Sequence, residues 1–372
     1  MVKLELIGGG FDLENKYEHV YREIKAKIVA GEYEVNDKLM TESQLMSIYE
    51  SSRYAVRKAI GDLENAGYVY RIQGGGIFVN DWHTVKKVTQ NNKIIGVMTT
   101  HIADYIFPNI ITGIDRIISE EGYTIMLSNT LDNAEKERYS LLRMLEMNLS
   151  GLIVEPTQSA LINKNKDLYE KIMAQKIPVL FINSHYEDLE IPYLELNDFN
   201  GSEVATEHLI NEGHGKILGI FKVDDKQGQL RMNGFVQAYM EHSAISYQSE
   251  ILMYQSADSM QNIYKKIEKI LHRSDRPTAI VCYNDQLAIK LIDIVKSMGM
   301  KIPEDISIVG FDDYQLSKYM SPKLTTIRHP KEKMGREAAT MLLKMINSKT
   351  MSAKSVVYDA KLIIRESVKN RN

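Results

Sequence analysis

Seven short apolar runs from Lys93 onward constrain this chain's fold more than any other feature. They are "KIIGVMTT", "YTIMLSN", "SGLIVEP", "IPVLFIN", "GKILGIF", "AIVCYND" and "ISIVGFDD". Each is apolar at consecutive positions, not alternate ones, so each must be buried on both faces. Helical patterns lie between them. Strands of that kind alternating with amphipathic helices imply parallel sheets in an α/β fold. Such folds bind ligands at the carboxyl ends of their strands. Here those ends are polar: Thr99 and Thr100, Asn129, Glu155, Asn183, Asn284 and Asp312. A concave, polar-rimmed site for a small polar ligand follows.

Before Lys93 the rhythm is different. Tyr17, Val20, Ile24 and Ile28 recur at spacings of three and four, which predicts a helix that Gly31 ends. "TESQLMSIYE" predicts a second helix capped by Thr41, with Leu45 and Ile48 facing inward. "SSRYAVRKAIGDLENAG" predicts a third, capped by Ser51 or Ser52 and stopped by Gly67. Two short strands, Tyr68–Ile72 and Ile77–Val79, then flank Gly74, Gly75 and Gly76. Three helices and a hairpin describe an α+β winged helix-turn-helix over residues 16–80. Residues 1–15 read as a loosely ordered extension, and the polar, aperiodic segment 81–92 reads as a linker.

The glycine triplet admits three readings. A phosphate-binding loop needs a following Gly-Lys-Ser/Thr and a helix, whereas "GGGIFV" leads into a strand. A flexible linker would not be flanked by β-formers on both sides. A hairpin tip remains, free of side-chain bulk and tolerant of positive φ. Such a tip is either a plain turn or a wing that enters a minor groove, led by Gln73 with Arg71 behind it.

In a helix-turn-helix the second helix of the motif enters the major groove. That helix offers Arg53, Tyr54 and Arg57 on adjoining turns. Arginine forks match the O6 and N7 acceptors of guanine, so Arg53 and Arg57 are the base-reading candidates. Ser52, at the helix N-terminus, is placed to bond a phosphate together with backbone N–H groups. The alternative is that these arginines only solvate an exposed face, and the adjacent hairpin weighs against it. Residues 1–80 carry ten Lys/Arg against twelve Asp/Glu, so any DNA-binding charge is local. Between Arg53 and Arg71 four basic residues meet only Asp62 and Glu64.

Composition closes off other classes. The net charge of -3 gives no global signal for nucleic acid or membrane. The single cysteine, Cys282, excludes an internal disulfide framework and fits a reducing compartment. No apolar run is long enough to span a bilayer and no secretory signal is visible, so the expected location is cytoplasmic. His208 and His214 do not make a metal pair. No nucleophile–base pair and no cofactor signature stand out, so neither an enzyme nor a cofactor is expected.

At the residues "KLMTESQLMSIYESSRYAVRKAIGDLENAGYVYRIQGGGIFV" the chain resembles the GntR family of bacterial transcription factors. It departs from the family pattern at Met40, where proline is usual, and at Glu50-Ser51, where small or apolar residues are usual. The resemblance implies DNA contacts at Arg53, Arg57 and Gln73, with Lys16 touching phosphate. From Lys93 on, eight landmarks resemble in order the effector domain of LacI/GalR repressors and the periplasmic pentose-binding proteins. Among them are "EEGYTIML", "HLINEGHGKILGIF", "RMNGF", "KIPEDISIVGFDD" and "LTTIRHP". That implies a periplasmic-binding-protein-like α/β fold of two parallel-sheet subdomains joined by three crossovers, with a sugar in the cleft.

By position the resemblance implies ligand contacts from Arg231, Asn284 and Asp312, and from Asn183 and Ser184. His329 would stand at a crossover, Asp104 and Phe107 after the first strand, and Glu155 after the third. Asp285 and Asp313 read instead as helix caps. A GntR-like head on a LacI-like body resembles the arabinose-responsive repressors. That combination implies L-arabinose as effector and a homodimer on double-stranded operator DNA, with sugar releasing the operator. The rival readings are a sugar-binding module of the transport class, or a regulator answering another sugar. A third is an enzyme, since GntR-like heads also occur on aminotransferase-like bodies.

Overall fold

The computed structural model describes residues 11–72, 74–82 and 93–372, with the side chains of 11–16 excepted. The chain divides into two compact units, Met1–Asn92 and Lys93–Asn372.

The first unit contains helices α1 (Phe11–Val29), α2 (Glu42–Ile48) and α3 (Arg53–Asn65), followed by antiparallel strands β1 (Val69–Ile72) and β2 (Gly76–Val79). Val20, Ile24 and Ile28 of α1 pack with Leu45 of α2 and with Val56, Ala59, Ile60 and Leu63 of α3. Thr41 and Gln44 form a capping box at α2, and the Ser52 hydroxyl accepts from the Ala55 N–H at α3. Gly31 and Gly67 take left-handed φ values of 78° and 75° just past α1 and α3, where a side chain would be strained. Ile48 corrects the expectation of an inward face, for it is 52% exposed. A seven-residue helix turns too few times for periodicity to fix both of its inner positions.

The second unit has two lobes. The first lobe threads β3 (Ile94–Thr99), α4 (Phe107–Glu120), β4 (Thr124–Asn129), α5 (Ala134–Glu146), β5 (Gly151–Val154), α6 (Lys166–Ala174), β6 (Val179–Ile182) and β7 (Tyr193–Leu196). The second lobe holds α7 (Asp198–Asn211), β8 (Ile217–Lys222), α8 (Lys226–Glu241), β9 (Glu250–Tyr254), α9 (Met260–Leu271), β10 (Ala279–Cys282), α10 (Asp285–Ser297) and β11 (Ser307–Val309). Then come β12 (Thr326–Arg328), α11 (Lys331–Ser348), β13 (Val356–Tyr358) and β14 (Lys361–Ile363).

The first sheet has the order β13-β7-β6-β5-β3-β4 and the second β11-β10-β8-β9, all pairs parallel. Because β13 joins the first sheet while β12 and β14 pair with each other, the chain crosses between lobes three times: after β7, after β12 and after β13. All seven apolar runs form strands, and β5, β6, β10 and β11 are buried at every position.

Two close helix crossings brace the lobes. A Cβ on Gly335 of α11 would lie 2.1 Å from the Ile110 carbonyl of α4, and one on Gly234 of α8 would lie 2.1 Å from the Phe199 carbonyl of α7. Only glycine permits those approaches. Strand order reverses at β3 in one sheet and at β8 in the other. At such switch points the loops diverge and leave a crevice.

Candidate functional site

A cavity of about 530 Å³ lies at the two switch points. Its walls come from the ends of β3, β5, β8, β10 and β11 and the segments that follow them (Thr100, Asp104, Phe107; Glu155; Lys222, Asp225; Asn284; Asp312), with His329 at the second crossing.

Arg231 of α8 anchors the floor. Its Nε donates to Asp198 at 2.7 Å, one terminal nitrogen donates to the Tyr283 carbonyl at 2.6 Å, and the other donates to Asp312 at 3.2 Å. The guanidinium lies 3.6 Å from the Phe311 ring centroid. Burial disfavours its charge, but Asp312 and Asp198 outweigh burial and raise its proton affinity. Three of its five N–H groups are used, which leaves one on each terminal nitrogen. Asp312 holds φ at +98°, a strained value for a residue with a side chain, and also accepts from the Tyr105 hydroxyl. Burial raises the Asp198 carboxyl to about 7, against the pull of Arg231.

On the facing wall, Glu155 is buried and accepts three hydrogen bonds. The Thr100 N–H and hydroxyl reach one oxygen at 2.9 and 2.7 Å, and the Asn183 amide reaches the other at 2.9 Å. Burial nevertheless pushes Glu155 up to about 7. Phe107 stacks on His101 with ring centroids 5.7 Å apart, giving the cavity an aromatic side.

The two lobes touch at several points. Asp132, after β4, meets Lys222 and accepts from Ser256 at 2.5 Å. Lys226 meets Glu187 at 2.7 Å, and the Tyr105 hydroxyl reaches the Phe311 carbonyl at 3.0 Å.

Seven sequence-expected residues therefore line one cavity: Asp104, Phe107, Glu155, Arg231, Asn284, Asp312 and His329. Asn183 and Ser184 do not. Asn183, at φ +63°, turns toward Glu155 and His329, while the Ser184 hydroxyl donates to Ser159 at 2.8 Å behind the wall. The caps are also corrected. Asn284 itself caps α10 by accepting from the Leu287 N–H at 2.9 Å. Asp285 is instead a buried tie that accepts from the Tyr314 N–H and the Ser317 and Thr326 hydroxyls. Asp313 caps no helix and pairs with Arg365. Sequence reasoning missed Tyr105, Asp132, Asp198, Lys222 and Asp225. Asp198 and Asp225 each follow a strand end, the signal that found Asp312.

In the first unit, α3 presents Arg53, Tyr54 and Arg57 to solvent, with Tyr54 72% exposed. Arg57 bonds Glu42 at 2.8 Å, and Arg71 lies 3.1 Å from Glu64. Gly74 and Gly76 take φ of +74° and +120°; Gly75 does not, but a Cβ there would meet Ile72 at 2.8 Å. The wing tip thus needs glycine at all three places. The Lys16 side chain and Gln73 lie outside the described residues.

Fold and site together define a class: a winged helix-turn-helix joined to a two-lobed body with a polar cleft. Residues 16–79 match the bacterial regulatory proteins of the gntR family, and residues 206–368 match the periplasmic binding protein-like domain. The chain is 39% identical over 357 residues to the arabinose metabolism transcriptional repressor of Geobacillus stearothermophilus, covering 95% of this chain and 98% of that one. It is 40% identical over 363 residues to the protein of the same name from Halalkalibacterium halodurans, covering 95% and 97%. Among solved structures, a periplasmic binding protein/LacI transcriptional regulator from Alkaliphilus metalliredigens, complexed with D-xylulofuranose, superposes with a TM-score of 0.64 at 26% identity. That match covers 74% of this chain and 99% of the other. The chain belongs to the family of arabinose metabolism transcriptional repressors.

Proposed function

We propose that this protein represses transcription by binding operator DNA as a homodimer, and that L-arabinose in the cleft releases it. The observation that carries the effector reading is the Arg231 site. A fixed guanidinium with two spare N–H groups sits beside carboxylates and opposite an aromatic pair. A small sugar presents adjacent hydroxyls that both donate and accept, together with an apolar C–H face. Arginine and carboxylates serve the hydroxyls, and Phe107 with His101 serves the face. The family relatives are named for arabinose metabolism, and the Alkaliphilus structure holds a five-carbon sugar.

DNA is read by Arg53 and Arg57 in the major groove, while Arg71 and the wing reach the minor groove. Dimerisation is supported by exposed apolar side chains at sheet edges. Leu127 lies on edge strand β4, with Tyr139 and Leu142 on α5 beside it; Met253 lies on edge strand β9. A two-fold dimer reads an inverted repeat. Sugar bridges the lobes next to the Asp132–Lys222 contact, and the changed lobe geometry weakens operator binding. The site of action is the cytoplasm, where the DNA is.

Calorimetric titration with L-arabinose, against D-xylose, D-ribose and D-galactose, tests the effector. Selective heat with L-arabinose is expected. Heat with another sugar alone overturns arabinose but leaves the repressor reading standing.

A further inference from the structure

We propose that Asn183 is a positioning residue that locks His329 as the Nε2–H tautomer, so that Nδ1 is an obligate hydrogen-bond acceptor for a ligand hydroxyl. The inference rests on the reading of the cleft as a sugar site and assigns one polarity within it.

Glu155 fixes the orientation of the Asn183 amide. At a pH above about 7, where Glu155 is ionised, its two carboxylate oxygens take the Thr100 and Asn183 donors, and a carboxylate oxygen can only accept. The N–H₂ of Asn183 therefore faces Glu155, and the amide oxygen turns the other way. That oxygen lies 3.1 Å from His329 Nε2. An amide oxygen also only accepts, so Nε2 must carry the hydrogen. Burial pushes the His329 proton affinity down to about 3, so the ring holds one proton and Nδ1 holds none. Nδ1 is buried without a partner among the described residues, on a side chain that lines the cavity.

An orphaned acceptor costs free energy until a donor reaches it. A ligand hydroxyl supplies that donor, and a ligand with hydrogen or fluorine at the same carbon does not. The site thus separates sugars by which hydroxyl is free to donate there, although Asn183 never touches the sugar.

The test is nitrogen NMR of the full chain carrying ¹⁵N-histidine, at pH 8, where Glu155 is ionised. The His329→Gln variant identifies the ring signals. The expected spectrum of the free protein shows Nε2 protonated and Nδ1 bare, with the Nδ1 signal moving when L-arabinose is added. Asn183→Ala is expected to give mixed tautomers and to weaken arabinose binding roughly tenfold, the worth of one hydrogen bond. An Nδ1–H tautomer or a doubly protonated ring in the free wild-type protein overturns the inference, and needs no sugar. If no sugar binds, the effector reading fails while the free spectrum still decides the tautomer. If arabinose binds and Nδ1 does not move, the effector reading stands and this inference falls.

Discussion

Arg57 in the first unit and Arg231 in the second are both arginines paired with carboxylates at short range, and they do opposite jobs. The Arg57 side chain is 61% exposed and bonds Glu42 through Nε alone. The Arg231 side chain is 5% exposed, is fixed by Asp198, Asp312 and the Tyr283 carbonyl, and lies over Phe311. An exposed pair is screened and contributes little, so its arginine is free to exchange a glutamate for a guanine or a phosphate. A buried pair cannot be exchanged without stranding charge, so its arginine is rigid and preorganised. On the proposed function, DNA reading would use the exchangeable kind and the cleft the frozen kind.

The largest effect is expected at Arg231. Arg231→Ala leaves Asp198 and Asp312 buried without a counter-charge and should cost the body about 3–5 kcal/mol in denaturant unfolding. A loss below about 1 kcal/mol would mean that the floor is wetter than its burial implies.

Next in size is a pH effect at Glu155. Its folded value near 7 lies above the ordinary 4.5, so the folded chain keeps a proton that the unfolded chain has lost. That contribution is full below the ordinary value and disappears as pH rises through about 7. Glu155→Gln has no such dependence. Its unfolding free energy should therefore gain on wild type by on the order of 2–3 kcal/mol between pH 5 and pH 8.5. A constant difference across that range would show that Glu155 is not buried in solution.

Arg57→Ala should weaken operator binding by about 1–3 kcal/mol and relax base preference at one position, with unfolding changed by less than about 0.5 kcal/mol. Gel-shift titration beside thermal unfolding separates the two effects. The smallest expected effect is at Glu64→Gln, which removes the nearer of the two exposed partners of Arg71, leaving Glu42 at 3.9 Å, and should shift stability by less than about 0.5 kcal/mol.

The same contrast explains what could be read in the sequence. The seven apolar runs were legible because each is apolar at consecutive positions, and β5, β6, β10 and β11 are buried at every one; β4, at the sheet edge, has no fully buried position and corrects the expectation of burial on both faces. The short, mixed strands were not: "YLEL" of β7 carries Glu195 into the sheet, and β13 pairs over three residues only. The head was legible because Thr41, Ser52, Gly31 and Gly67 punctuate helices locally. Ile48 failed because α2 is too short for its period to choose a face.

In the cleft, single strand-end residues such as Glu155 and Asp312 announced themselves. The partners that give them their chemistry did not. Asp198 reaches Arg231 across 33 positions, and Tyr105 reaches Asp312 across 207. No local pattern records such pairings. Asn183 carried a polar strand-end signal, but nothing in the sequence showed that it faces Glu155 and His329 and leaves the cavity wall to them.

On the proposed function the exchangeable site and the frozen site are coupled. The most direct measurement is titration of L-arabinose into the full chain with and without its operator, selected from random DNA. Operator is expected to weaken arabinose binding by the same factor by which arabinose weakens operator binding, since linkage is reciprocal. Equal arabinose affinity in the presence and absence of operator would contradict it.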